Sequence, residues 1–224
     1  MSFNIAYAVE IDSALAVLRS ETALHQPDVL CLQEMDFPGT ERLAAALGLN
    51  YFYFPSGVHP KSDRDFGCAV LSPWPLSAPR KILLPHGARI SGLRRAVTVA
   101  TVQRGARRLR VYAVHLSSPA GLSGKDRREQ VDSLIADAKR SPDPVVIAGD
   151  FNSEDIGDAF TAAGFVWPTR TLGPTTRAYG VGFRYDHVFA QRLHAVEGTP
   201  SAGVVTRNRD ASDHYPIWVL LTPE

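Results

Sequence analysis

The stretch PVVIAGDFN, residues 144–152, decides how this chain is read. Val145 to Ala148 form a short apolar run, of a length that suits a strand buried on both faces. It runs into Gly149, which permits a close backbone approach, and ends on Asp150 and Asn152. Ser153 follows as a cap for a helix over 153–163 that Gly164 stops. Alone, GDFN reads equally well as a turn with an Asn cap. Its weight comes from recurrence elsewhere in the chain.

PDVLCLQE (27–34) ends on Glu34, VYAVHL (111–116) carries His115 near its end, and RYDHVF (184–189) holds Asp186 and His187. SDHYPIWVLL (212–221) opens on Asp213 and His214, and Asn4 lies in the first strand-like run, SFNIAYAV (2–9). That run begins almost at Met1, so either the strand is short or its chain starts a few residues upstream, in which case Asn4 is poorly held. Strand ends are rigid platforms, and catalysis needs such rigidity. Singly, a Glu after a strand is most often solvated and a strand histidine most often structural. His187 is expected to be structural.

GCAVLS (67–72) and RAVTVATV (95–102) add strands. Helices are expected over 12–25, with Asp12 or Ser13 as N-cap and Leu15, Leu18 and Thr22 inward, over about 39–47 (LAAAL), and over 124–140. In the last, Val131, Leu134 and Ile135 share one face, and Lys139 and Arg140 suit the C-terminal end of the dipole. Strands over 66–117 follow one another with only turns between, as in an antiparallel meander, whereas both ends of the chain alternate strands and helices. The mixture predicts an α/β (α+β) fold, two packed mixed sheets flanked by helices, as one domain over 1–224. The Gly-, Pro- and Thr-rich run 167–182 is long for an idle loop.

At 224 residues, with 45% hydrophobic and 21% charged residues, the chain falls outside the disordered, collagen-like and disulfide-stapled classes. Cys31 and Cys68 sit in apolar runs and read as free, buried thiols. No run is long enough to span a membrane and no signal-type start is present, so a cytoplasmic protein is the expectation. The net charge of +1 hides a basic middle. Between Asp65 and Asp126 stand Arg80, Lys81, Arg89, Arg94, Arg95, Arg104, Arg107, Arg108, Arg110 and Lys125, without one acid. Most of those of 80–110 are expected on outward strand faces, Arg94, Thr98 and Ala100 alternating with inward Val97 and Val99. The aromatics Tyr51 to Phe54 are expected to be strand-pair and core residues rather than a base-stacking platform.

If the polar strand ends converge, four carboxylates, amides and imidazoles share one cluster. Clustered carboxylates take up protons or bind a cation, and oxygen ligands select a hard ion such as Mg²⁺ or Mn²⁺. An ion with open positions suits phosphate oxygens, and a His–Asp pair supplies an acid or base near neutral pH. No activated Ser or Cys signature points to a covalent nucleophile.

In order along the chain, FNI with Asn4, PDVLCLQE with Glu34, GCAVLS, VHL with His115, the helix containing Arg128 and Gln130, GDFN, RYDHVF with Asp186 and SDH at 212–214 resemble the endonuclease/exonuclease/phosphatase superfamily. The resemblance covers the whole length and implies a four-layered α/β sandwich with its site at one end of the sheets. It implies that Asn4, Glu34 and Asp213 surround the principal Mg²⁺ or Mn²⁺, and that Asp150 and Asn152 position or deprotonate the attacking water or share a second ion. His214 would be oriented by Asp186, and His115 would serve phosphorus or the leaving group. Which histidine is the acid stays open. His115 and the short chain resemble the compact bacterial, deoxyribonuclease-like branch rather than apurinic-site endonucleases.

The expected activity is divalent-metal-dependent phosphodiester hydrolysis, with DNA or RNA as the first substrate class and a small or lipid phosphoester as the alternative. A catalytically inactive binding domain is disfavoured because every ligand position is filled. Assigning four acids to the site leaves 19 acids against 24 basic residues, a balance of +5 that suits an anionic phosphoester.

Overall fold

The computed structural model describes residues 1–59, 63–178, 180–197 and 200–224. Eight strands come first: β1 Ser2–Asn4, β2 Leu30–Met35, β3 Asn50–Val58, β4 Asp65–Ser72, β5 Leu76–Gly87, β6 Arg94–Arg104, β7 Arg107–His115 and β8 Val145–Asp150. The hairpin β9 Thr176–Ala178 and β10 Val181–Phe183 precedes β11 Asp186–Gln191, β12 Leu193–Ala195, β13 Ala202–Val204, β14 Ile217–Val219 and β15 Leu221–Pro223. Helices are α1 Ile11–Ser20, α2 Phe37–Leu47, α3 Gly124–Ala138 and α4 Gly157–Ala162.

Two mixed sheets pack face to face, one ordered β13-β14-β1-β2-β4-β3 and the other β11-β8-β7-β6-β5. Three apolar layers account for the stacking. Phe3, Leu30, Leu32 and Leu71 pack with Ala14, Val17 and Leu43 of α1 and α2 outside the first sheet. Val97, Val99, Tyr112, Val145 and Ile147 pack with Val131 and Leu134 of α3 outside the second. Cys31, Cys68, Val70, Ala100, Val111, Ala113, Val146 and Ala148 fill the space between the sheets. The order helix, sheet, sheet, helix is the expected four-layered sandwich. Cys31 and Cys68 are free and buried, and among the described residues no helix is long and apolar enough to cross a membrane.

Several local expectations need correction. The run 66–117 is not one meander: β4 belongs to the first sheet and β5-β6-β7 to the second, so the chain crosses between sheets at 73–75. Thr98 and Ala100 are not outward, because β6 is covered by α3 on one face and by the other sheet on the other. The first helix starts at Ile11 with no side-chain cap and buries Ile11, Ala14, Val17 and Leu18; Leu15 is only half-buried and Thr22 lies in a separate short turn. The helix of 153–163 shrinks to Gly157–Ala162, since Ser153 O meets the His187 ring at 2.8 Å and Glu154 accepts from Arg184 N. Within 167–182 the chain forms the β9–β10 hairpin, with Tyr179 outside the described residues.

Strand alternation carries the site. In β7 and β8, Val111, Ala113, Val146 and Ala148 point between the sheets, so His115 and Asp150 share that direction two residues further along their strands. Val188 and Ala190 do the same in β11, which places Asp186 there. The registers His115↔Asp150 and Asp186↔Asp150 then set these three residues side by side across β7, β8 and β11. Gly149 permits the close fit: a Cβ there would meet Val114 O at 1.9 Å. Phe151 anchors the following turn by packing edge-on against Phe160 and Phe189, centroids 5.6 and 5.2 Å away. Burying a ring of this size stabilises by about 2–3 kcal/mol.

Strand β2 breaks alternation. Its pairing passes from Leu32↔Ala69 to Met35↔Gly67, three steps along β2 against two along β4, and Glu34 has φ +57°. This is a bulge. Leu32 and Met35 both stay in the helix-side core, and Glu34 is released from it.

Candidate active site

Asn4 ends β1 fully buried and joins the two sheets. Its Nδ2 donates to Glu34 Oε1 at 3.3 Å and to Asp150 Oδ2 at 3.1 Å, while Oδ1 accepts from Ala6 N at 3.1 Å. That last bond stops the strand, and Ala6, Tyr7 and Ala8 turn through left-handed φ of 36°, 62° and 52°. The expected strand over 2–9 is therefore short. The turn aims Tyr7 N at Glu34 Oε2, 3.1 Å away. Arg64 ties it down by donating to Tyr7 O and Asp36 Oδ2, both at 2.8 Å.

Asp150 is the hub. His115 Nε2 lies 3.4 Å from its Oδ2 and 3.9 Å from Glu34 Oε1; His214 Nε2 lies 3.7 Å from the same Oδ2. Asn152, at φ +50°, donates its backbone N–H to Asp150 Oδ1 at 2.8 Å and Nδ2 to Leu116 O at 3.0 Å. Arg127 Nη2 clamps the turn through Asn152 O at 2.6 Å. Left-handed non-glycine residues at Glu34 and Asn152 are strained, and such strain persists only where surroundings enforce it.

His214 Nδ1 and Asp186 Oδ2 are 2.8 Å apart, and Thr175 Oγ1 donates to the same oxygen at 2.7 Å. Thr175 comes from the loop 167–182, and Arg177 N and Thr176 Oγ1 donate to Asp213 O. That loop therefore has work at the site. Asp213 itself stands exposed at the mouth, with Ser212 Oγ 3.4 Å from its carboxylate. Its charge raises the carboxyl of Glu34 and the imidazole of His214. The residues expected from sequence thus meet at one end of the sandwich, Asp213 at its rim.

Burial sets the protonation. It raises Glu34, against Asn4 and Arg95, and raises Asp150 to about 7, Asp186 and Glu34 adding to the effect against the pull of His214. Burial opposes a charge on His214 too, but Asp186 and Asp150 outweigh it and carry that histidine to about 10. His115 moves the other way, well below the usual value, through burial and the charges of Arg95 and His214.

The donor set fits a hard divalent ion. Half-buried Glu34 and buried Asp150 are carboxylates held close by one amide, and a cation offsets their desolvation. Asp150, Asp186 and His214 also offer ligand atoms within 4.8 Å of one another. There an ion would compete with the Asp186–His214 bond, whereas beside Glu34 it would compete with the neutral donors Asn4 Nδ2 and Tyr7 N–H.

Sequence reasoning missed Arg95, Tyr7 and Thr175. Arg95 belongs to the basic middle, whose residues are mostly expected to face outward, yet its Nη1 lies 3.3 Å from His115 Nδ1 and its guanidinium 5.0 Å from the Phe66 ring centroid. The β5–β6 pairing is interrupted between Leu83↔Ala96 and Gly87↔Arg94, and beside that break Arg95 turns inward while Arg94 reaches Leu84 O. Alternation requires one of two adjacent arginines to face in; only the irregular pairing says which. In α3 the residue touching the site turn is Arg127 rather than Arg128, and Gln130 braces Ser117 and Pro85.

The chain is 30% identical over 104 residues to a UPF0294 protein of Vibrio vulnificus, matching 44% of this chain and 34% of that protein. It is 24% identical over 256 residues to Nocturnin of Rattus norvegicus, matching 93% of this chain and 57% of that one. It thus spans between a third and three fifths of the length of these relatives. The fold is that of D. rerio TDP2, solved with a single strand DNA product, at TM-score 0.75 and 19% identity over 99% of this chain and 97% of that one. The sequence pattern of the Endonuclease/Exonuclease/phosphatase family matches residues 1–214, the span that holds Asn4 and Glu34 at one end and Asp213 and His214 at the other. By that match this chain belongs to the endonuclease/exonuclease/phosphatase family.

Proposed function

We propose that this chain is a divalent-metal-dependent phosphodiesterase that hydrolyses nucleic acid by direct attack of water on phosphorus, residues 1–224 acting as one unit. The observation that carries the reading is the Asn4 amide spanning Glu34 and Asp150, with both site histidines on the same Asp150 oxygen. Glu34, Asp213 and Asn4 would hold Mg²⁺ or Mn²⁺, with Asp150 and Asn152 beside it. The ion would supply Lewis-acid neutralisation of phosphate oxygens. For Asn4 to ligate through oxygen its amide must turn, since Nδ2 rather than Oδ1 now faces Glu34 and Asp150.

Asp150, held by the Asn4 amide and the Asn152 N–H, would take a proton from the attacking water. Asn152 holds that carboxylate and the attacking water in line. His214, kept cationic by Asp186 and backed by Thr175, faces the phosphate with charge and a proton for the leaving oxygen.

Nucleic acid is favoured over a small phosphoester by the basic balance of the chain outside its site, and TDP2, which shares this fold, has been solved with a single strand DNA product. The test is a panel of single- and double-stranded DNA, RNA and bis-p-nitrophenyl phosphate with and without Mn²⁺. Glu34→Gln and Asp150→Asn should each lower kcat by at least about 100-fold. Polynucleotide cleavage that survives EDTA refutes the reading. Turnover of the small diester alone transfers it to small or lipid phosphoesters.

A further inference from the structure

The two histidines of the site are held by partners of opposite character. His214 Nδ1 faces the Asp186 carboxylate at 2.8 Å, an acceptor only, so Nδ1 must carry a proton. His115 Nδ1 faces the Arg95 guanidinium at 3.3 Å. A guanidinium has five N–H donors and no acceptor, so here Nδ1 must be the unprotonated nitrogen. The ring proton is then forced onto Nε2, which points at Asp150 Oδ2 and Glu34 Oε1, at 3.4 and 3.9 Å. Both neighbours accept, so the assignment gives each nitrogen of a histidine that is 3% exposed a neighbour of the matching polarity.

From this geometry we infer that Arg95 is a positioning residue that fixes His115 as the neutral Nε2–H tautomer, making His115 a hydrogen-bond donor to a phosphate oxygen rather than the proton-transferring histidine. Arg95 is itself fixed: its guanidinium lies over the Phe66 ring, and Phe66 also contacts the His115 ring, centroids 5.7 Å apart. Phe66 thus touches both the cation and the imidazole that it meets. The inference rests on the phosphodiesterase reading for what His115 donates to, but the tautomer stands apart from any activity. It also divides the labour left open by sequence: His214, paired with Asp186, moves the proton, and His115 binds oxygen.

The experiment is a two-bond ¹H–¹⁵N correlation of histidine-labelled protein at neutral pH, with and without Mg²⁺, the His115 signals being identified by their loss in His115→Gln. His115 should show a protonated Nε2 and an unprotonated Nδ1 in the wild type and in Arg95→Lys, which keeps a donor. Arg95→Met should shift it to a mixture of tautomers or to Nδ1–H. With bis-p-nitrophenyl phosphate, Arg95→Met should lower kcat about 10–100-fold with KM little changed, and lysine should restore most of it. A wild-type spectrum with Nδ1–H overturns the proposal outright, even if no variant folds. So does an Arg95→Met spectrum identical to wild type. Absence of wild-type turnover would sink the phosphodiesterase reading while the spectrum still decides the role of Arg95.

Discussion

Binding of a divalent ion should be steeply pH-dependent below neutrality, and Asp150 sets the slope. The residue is 1% exposed, and burial, reinforced by Asp186 and Glu34, raises its carboxyl to about 7 despite His214 and the Asn152 N–H. An ion needs the deprotonated form, so below pH 7 it must displace a proton. Each unit of pH then weakens binding about tenfold, the 1.36 kcal/mol that one pKa unit is worth. The Mn²⁺ Kd should rise about 50-fold from pH 7 to pH 5 and level off above pH 8. Glu34, also raised by burial, can only steepen the fall. Isothermal titration in buffers of different ionisation enthalpy measures both Kd and proton release: about one proton per ion at pH 6 and almost none at pH 8. A Kd that changes less than about threefold between pH 5 and 8, or binding at pH 6 without proton release, would refute the reasoning.

Three further outcomes follow from the packing and the charges. Because His214 is raised in the folded state from 6.5 to about 10, its pairing with Asp186 stabilises fully below pH 6.5 and is lost as pH rises through 10. Asp186→Asn should therefore cost about 3 kcal/mol in urea unfolding at pH 6 and far less at high pH; an equal loss at both would contradict the pairing. Gly149→Ala forces a Cβ to within 1.9 Å of Val114 O. It should cost about 3 kcal/mol or more, a fall in Tm of roughly 6–12 °C for a chain of this size, and scanning calorimetry showing an unchanged Tm would exclude the clash. Burial pushes the thiols of Cys31 and Cys68 up, Cys31 to about 12, so neither should react with Ellman's reagent until denaturant is added. A thiol titrating in the native protein would show that the space between the sheets is open there.

What sequence made legible was whatever depends on strand period. Asn4, His115, Asp150 and Asp186 each lie an even number of residues from apolar side chains that face between the sheets, or end a strand paired in that row, and regular alternation delivers them to one place. What it hid depends on broken period. Arg95 turns inward beside an interrupted pairing, and Tyr7 presents its N–H from a left-handed turn inside a run that reads as strand. Thr175 is recruited by a hairpin inside a Gly- and Pro-rich segment with no pattern to follow. The first helix was mis-phased because Ala14, a small residue, is core where α1 and α2 cross near Leu43 and Ala44. The change of sheet at 73–75 is likewise invisible, since a turn between paired strands and a crossover between layers use the same residue types.

The extra residue in β2 also bears on redesign. A protein engineer who copies this constellation onto another pair of sheets, residue for residue, would place the Glu34 carboxylate two steps after Leu32 on a regular strand, and so into the apolar layer beneath the helices. An uncompensated carboxylate there would be protonated or would unfold its host. The transplantable unit is the bulged strand as a whole, with the left-handed residue and the Tyr7 amide that meets it.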